Sequence, residues 1–184
     1  HSPHNAVISD SNPEIINVYK QIADNVDEVI DILKGYKNTE EMFYAVRGLN
    51  WEELPPAEAA ARTIYLNKTC FNGLYRVNRK GQFNTPFGSY KNPTICDEPL
   101  LHSVSKQLKN ATILCGDYTD ILQQYAKPGD FIFLDPPYDC AFSDYGNEEY
   151  KDGFNEDSHR RLAQDFRNLP CPAMMVIGRT DLTT

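Results

Sequence analysis

The chain has 184 residues, 41% of them hydrophobic and 24% charged, and a formal net charge of −8. This is the composition of an ordinary globular protein, long enough for one good core and short for two. No apolar run approaches the length of a membrane-spanning helix, and the opening HSPHNAVISD lacks the apolar core of a secretory signal, so the chain reads as soluble and cytoplasmic.

In chain order, AVISD at residues 6–10 reads as a short strand ending in an acid. Ser11 or Asn12 then offers a helix cap, with Pro13 suited to the first turn. Ile15, Val18, Ile22, Val26, Val29 and Leu33 keep helical spacing and predict one or two consecutive helices packed on the core, stopped at Gly35. Helical pattern returns over 39–47 and more firmly over 56–67, where AEAAA has strong propensity. From Thr69 to Pro93 the texture shifts to Asn, Gly, aromatics and bases with little period, which predicts an inserted loop or hairpin module. Beyond it come a helix after Asp97 to about Lys109, the strand ATILCGD, a short helix and the strand DFIFLDPP. A polar stretch over 146–155 precedes the helix EDSHRRLAQDFRNL and the strand AMMVIG. Strands alternating with helices predict an α/β protein with a doubly wound sheet, built from residues 5–37 and 97–184, and interrupted by a helical and loop insertion over 38–96.

Charge is unevenly spread. From Arg62 to Asn92 there are six bases (Arg62, Lys68, Arg76, Arg79, Lys80 and Lys91) and no acid, which leaves twelve bases against 26 acids elsewhere. Attraction to phosphate acts over a Debye length of about 8–10 Å, so a basic face on an acidic body can meet a polyanion. A solvated basic loop with no partner accounts for the same charges. Five scattered cysteines, with no C-x-x-C pair, suit reduced thiols, and the four histidines have no ligand spacing, so no metal is assigned.

The stretch FIFLDPPYD at residues 131–139 runs from an apolar strand straight into an acid and two prolines. The continuous apolar run predicts a strand covered on both faces. Proline stops the ladder, because it has no N–H and a fixed φ. Asp135 would then stand at the carboxyl end of the strand, where open α/β sheets place their ligand crevices; a plain strand followed by a turn is the other reading. An Asp135 carboxylate beside the Pro136 carbonyl, which Pro137 holds in an extended direction, makes two fixed acceptors suited to an amino group on a flat ring. Tyr138 supplies a face for that ring. Asp10 is placed like an acid that binds a ribose hydroxyl pair. Asp117 could accept from an adenine amine while Tyr118 packs on the ring. Each acid taken singly is equally a helix cap or a turn residue.

DSNPEIINVYKQI, IYLNKTCFNGLYRVNRKGQFNTPFGSYKNP, GDY and FLDPPYD occur in that order over most of residues 6–155. Together they resemble the Dam-type, alpha-group adenine-specific DNA methyltransferases. The resemblance implies an incomplete Rossmann-like methyltransferase sheet with S-adenosylmethionine as cofactor and double-stranded DNA as partner. It makes Asp135, Pro136, Pro137 and Tyr138 the catalytic corner, assigns Asp10 to the cofactor ribose, and assigns Asp117 and Tyr118 to its adenine. It makes 38–96 the target-recognition region, with Phe71, Asn72, Leu74, Arg76 and Pro86 meeting bases of a GATC-like site. Arg76 suits a guanine edge, Leu74 and Pro86 suit a thymine methyl, and Phe71 suits the gap left by an extruded adenine. Lys68, Arg79, Lys80 and Lys91 suit phosphates.

The lysine-bearing N-terminal segment and F-x-G-x-G loop usual in that family are not matched, and Gly178 and Arg179 depart from its Ser-Asn-rich strand end. The chain is therefore expected to be clipped at both ends and to bind cofactor weakly or not at all. An amino-methyltransferase acting on cytosine and a DNA-binding module without catalysis are the rival readings. The setting, whether restriction–modification, phage or housekeeping, stays open.

Overall fold

Asn12 starts the first long helix. Its side-chain oxygen accepts from the amides of Glu14 (2.9 Å) and Ile15 (3.1 Å), and Pro13 occupies the first helical position. In the computed structural model, which describes residues 5–78, 80–138, 154–181 and 183, this helix is α1, Pro13–Asp24. It follows strand β1, Ala6–Asp10. The apolar period continues through Val26, but Asn25 leaves the helical region (φ −133°, ψ 37°), so the segment forms two helices, α1 and α2, Val26–Gly35. Thr39 caps α3, Glu40–Arg47. Pro56 opens α4, Pro56–Thr69. Asp97 caps α5, Glu98–Leu108, which leads to β2, Ala111–Cys115. The remaining elements are α6, Tyr118–Tyr125; β3, Ile132–Leu134; α7, Glu156–Arg167; and β4, Ala173–Met175.

The chain divides into two compact units. The first comprises residues up to 75 together with 82–116. Here α4 lies against α1, α2 and α3, while α5 lies against α1 and α2. Ala57, Ala59, Ala60 and Ala61 are buried on α4, and their small side chains let the other helices approach from several sides. Val29, Leu33, Phe43, Tyr65, Leu66 and Phe83 fill the core around it. A second cluster of Ile22, Ala23, Val26, Ile30 and Leu108 packs on Ile8 of β1 and Ile113 of β2. Those strands pair in parallel from Ala6 with Ala111 to Asp10 with Cys115.

Residues 69–75 and 82–93 are bound into this core. Cys70 bridges Phe87 in antiparallel fashion, the Gly88 amide donates to the Thr69 carbonyl at 2.8 Å, and Cys70, Phe83 and Thr85 are buried. Gly88 is required by that approach, because a Cβ there would come within 2.7 Å of the Cys70 carbonyl oxygen. The basic segment is also not one face. Arg62 is buried on α4 and bonded to Glu14, so it contributes nothing to a phosphate-attracting surface.

The second unit comprises residues 76–81 and 117–184 and carries β3 paired in parallel with β4, from Ile132 with Ala173 to Leu134 with Met175. The mixed α/β class expected from the sequence is present, and the described strands form two parallel pairs. β3 is not covered on both faces as its apolar run predicts: Phe133 is 58% exposed and its partner Met174 is 53% exposed. Apolar sequence alone cannot report how many layers a strand receives. Among the described residues no helix is long and apolar enough to cross a membrane. Most of the 146–155 stretch, together with Cys140 and Arg79, lies outside the described residues.

Candidate active site

The β3–β4 ladder closes where the Val176 amide donates to the Leu134 carbonyl at 3.0 Å. Asp135 is the next residue, and Pro136 cannot continue the ladder because it has no donor. Among the described residues, the exposed Asp135 has neither a hydrogen-bond nor an ion-pair partner. The two prolines are half-buried, and Tyr138 stands 47% exposed. Gly178, just past β4, lies behind the ring's root, where a Cβ would come within 3.9 Å of Tyr138 Cβ and Cγ. The corner thus combines an exposed acceptor, a stiff backbone and an accessible ring.

In the same unit Asp117 caps α6, its Oδ1 accepting from the Thr119 amide at 2.8 Å and also from the Thr119 hydroxyl. Its Oδ2 faces Arg161 Nη2 of α7 at 3.5 Å. Partial burial pushes the Asp117 carboxyl up, but the Thr119 bonds and Arg161 outweigh it and hold the group below the usual carboxylate range. Tyr118 donates its hydroxyl to Asp165 Oδ2 at 2.9 Å and accepts from Arg161 Nε at 3.3 Å. Burial, followed by the bond to Asp165, pushes the phenol up to about 12. The Arg161 guanidinium stands 5.3 Å over the Tyr118 ring. Neither Arg161 nor Asp165 was identified from the sequence. Their i, i+4 spacing on α7 puts them on one helix face, but nothing local names Tyr118 as what that face meets.

In the first unit Asp10 ends β1, and its Oδ1 accepts from the Asn12 amide at 2.8 Å. The loop residues proposed to read DNA fall into two groups. Phe71 and Pro86, fifteen positions apart in sequence, are joined by a hydrogen bond from the Phe71 amide to the Pro86 carbonyl at 2.9 Å. Phe71 is 51% exposed on a 3₁₀ turn, Phe71–Gly73, whose middle residue Asn72 has φ 54°, a left-handed conformation that asparagine tolerates. The Leu74 carbonyl accepts from the Thr85 hydroxyl at 2.7 Å, which ties Leu74 to the same pair of segments. Lys68, Lys80 and Lys91 are exposed. Lys80 and the half-buried Arg76 belong to the second unit.

Below Asp10 lies a buried network that was not foreseen. Glu14 and Arg62, with side chains 4% and 3% exposed, pair at 3.0 Å. Glu14 Oε1 also accepts from the Thr63 hydroxyl at 2.6 Å, and Oε2 accepts from the Tyr75 hydroxyl at 2.7 Å. Arg62 donates onward to the carbonyls of Val46 (3.2 Å) and Arg47 (3.1 Å). Burial pushes the Arg62 guanidinium down from its ordinary value, and Glu14 pulls it partly back.

Residues 1–183 match the model of the D12 class N6 adenine-specific DNA methyltransferases. The chain belongs to this family. It is 40% identical over 180 residues to the Type II methyltransferase M.MjaIII of Methanocaldococcus jannaschii, a match covering 89% of this chain and 61% of that protein. It is 37% identical to the Type II methyltransferase M1.LlaDCHI of Lactococcus lactis subsp. cremoris, over 96% of this chain and 65% of that protein. It is 31% identical to the DNA adenine methylase of Escherichia coli K12, over 72% of this chain and 48% of that protein. The chain thus spans about half to two thirds of the length of these relatives.

Proposed function

We propose that the protein carrying this chain transfers a methyl group from S-adenosylmethionine to the 6-amino group of adenine in a short duplex site of the GATC type. The observation that carries this reading is the exposed Asp135 at the end of β3, unengaged among the described residues and followed at once by the Pro136–Pro137 pair and the open Tyr138 ring, in a chain of the N6 adenine-specific family.

An adenine amine is a poor nucleophile because its lone pair is delocalised into the ring. The Asp135 carboxylate and the Pro136 carbonyl can each accept one of its hydrogens, which favours a pyramidal nitrogen with the lone pair directed away from the acceptors. Tyr138 fixes the base plane by stacking. Asp135 is also the group placed to receive the proton that the amine sheds. To reach this corner the adenine must leave the duplex, and the exposed Phe71 on its tight turn suits the vacated space.

S-adenosylmethionine, when bound, supplies a methyl on a positively charged sulfur. The residues present fit parts of it. Asp10 is exposed and engages the Asn12 amide through Oδ1, which leaves Oδ2 for a ribose hydroxyl. Asp117 Oδ2 faces Arg161 at 3.5 Å and, as a carboxylate oxygen, can accept a second hydrogen bond from the adenine end beside the Tyr118 ring. In this reading the chain carries an incomplete Rossmann-like methyltransferase domain, with 38–96 as the target-recognition insertion.

The test is to give the protein labelled S-adenosylmethionine and unmethylated or hemimethylated duplexes. Label entering DNA is expected, whereas binding of DNA with no transfer would identify a module without catalysis. Within the recognition assignment, Arg76→Ala should relax base choice at one position by about 1–3 kcal/mol, measured by competition between single-base variants of the site. Lys80→Ala should instead weaken all duplexes alike and flatten the salt dependence. Equal losses on every duplex from both changes would contradict the assignment.

A further inference from the structure

The Tyr75 hydroxyl is the meeting point of the cofactor corner and the recognition loop. It donates to Glu14 Oε2 at 2.7 Å and accepts from Asn12 Nδ2 at 3.2 Å. The directions are fixed by chemistry. An ionised carboxylate only accepts, so Tyr75 must donate to Glu14 and can take the Asn12 amide on its lone pairs. Asn12 in turn has Oδ1 committed to the amides of Glu14 and Ile15, so only Nδ2 is left to face the phenol. The Asn12 backbone amide then holds Asp10 Oδ1 at 2.8 Å. Asp10, Asn12 and Tyr75 therefore form a short hydrogen-bonded path from the end of β1 into the loop.

Tyr75 also sits between Leu74 and Arg76 in the chain, both assigned to base reading. Its ring packs edge-on to the buried Phe83, with centroids 5.8 Å apart, and the Leu74 carbonyl is held by Thr85. The ring thus anchors the loop to the core, while the hydroxyl sets its register against the helix that begins three residues after Asp10.

We propose that the Tyr75 hydroxyl is a positioning group that links occupancy of the Asp10 corner to the loop segment that reads DNA, so that ligands at the two places strengthen each other's binding. The inference rests on the assignment of Asp10 to the cofactor and of Leu74 and Arg76 to bases. A linkage of this kind is reciprocal and typically amounts to about 5–150-fold in affinity.

The experiment measures binding of the target duplex by fluorescence anisotropy with and without S-adenosylhomocysteine, for the unaltered protein and for two variants. Tyr75→Phe keeps the ring against Phe83 and removes the bridge. Asn12→Ser keeps a good helix cap and removes the Nδ2 donor. The unaltered protein is expected to bind its duplex about 5–150-fold more tightly with S-adenosylhomocysteine, and both variants should bring that factor close to one while still binding duplex. A factor retained in both variants, or absent from the unaltered protein, would overturn the inference, and a lowered melting temperature with the factor retained would identify a merely structural role. Methyl transfer measured alongside separates the two readings. Intact transfer with unlinked binding sites defeats only this inference, whereas DNA binding without any transfer defeats the proposed function.

Discussion

Arg62→Ala is expected to lower the stability of the fold by about 3–5 kcal/mol, which for a chain of this size corresponds to roughly 10 °C in melting temperature. The side chains of Arg62 and Glu14 are 3% and 4% exposed, so removing the guanidinium leaves a carboxylate buried with only hydroxyl partners, Thr63 and Tyr75. It also strips donors from the Val46 and Arg47 carbonyls, each of which then carries a desolvation penalty of about 1–3 kcal/mol if no water replaces the lost bond. Replacing both partners by apolar side chains, as in Glu14→Leu with Arg62→Met, should recover only part of the loss. That change removes the unpaired charge but not the orphaned carbonyls and hydroxyls. Thermal unfolding followed by circular dichroism measures both effects. A shift below about 2 °C for Arg62→Ala would mean that the pair is not sealed from water.

Asp135→Ala is expected to reduce methyl transfer by at least about 10²–10³-fold, the usual consequence of losing one preorganised electrostatic contact to the reacting group. The Pro136 carbonyl and the Tyr138 ring would remain, so an adenine could still be held, with one acceptor instead of two. Because Asp135 is exposed and makes no hydrogen bond or ion pair among the described residues, the change should leave stability nearly untouched. Rate assays paired with a thermal melt separate these effects. A large loss of stability, or transfer within a few-fold of normal, would remove Asp135 from the reaction.

How much of this was legible in the sequence follows from the range of the interactions involved. Helix starts depend on side chains two or three residues from the amides they bond, so Asn12 could be anticipated as a cap. The break at Asn25 could not, because the apolar period runs through it unbroken and only the local φ and ψ divide α1 from α2. The end of β3 was legible for the same short-range reason, since Pro136 cannot donate to a ladder. Its exposed Phe133 was not, because cover depends on other elements. Arg62 was misread as part of a basic face because its partner Glu14 lies 48 residues away. Arg161 and Asp165 were missed for the corresponding reason, lying 43 and 47 residues from Tyr118. The loop over 69–93 is legible as a distinct module from its composition, but its anchoring by Cys70, Phe83, Thr85 and Gly88 is not, since buried positions there follow neither a helical nor a strand period.

The most direct measurement is the identity of the methylated nucleoside. Duplex DNA treated with the protein and S-adenosylmethionine, then digested to nucleosides and analysed by mass spectrometry, should contain N6-methyladenine, and that product should disappear with Asp135→Ala. N4-methylcytosine in its place, or N6-methyladenine undiminished by that substitution, would contradict an acid and a neighbouring main-chain oxygen gripping the amine of adenine.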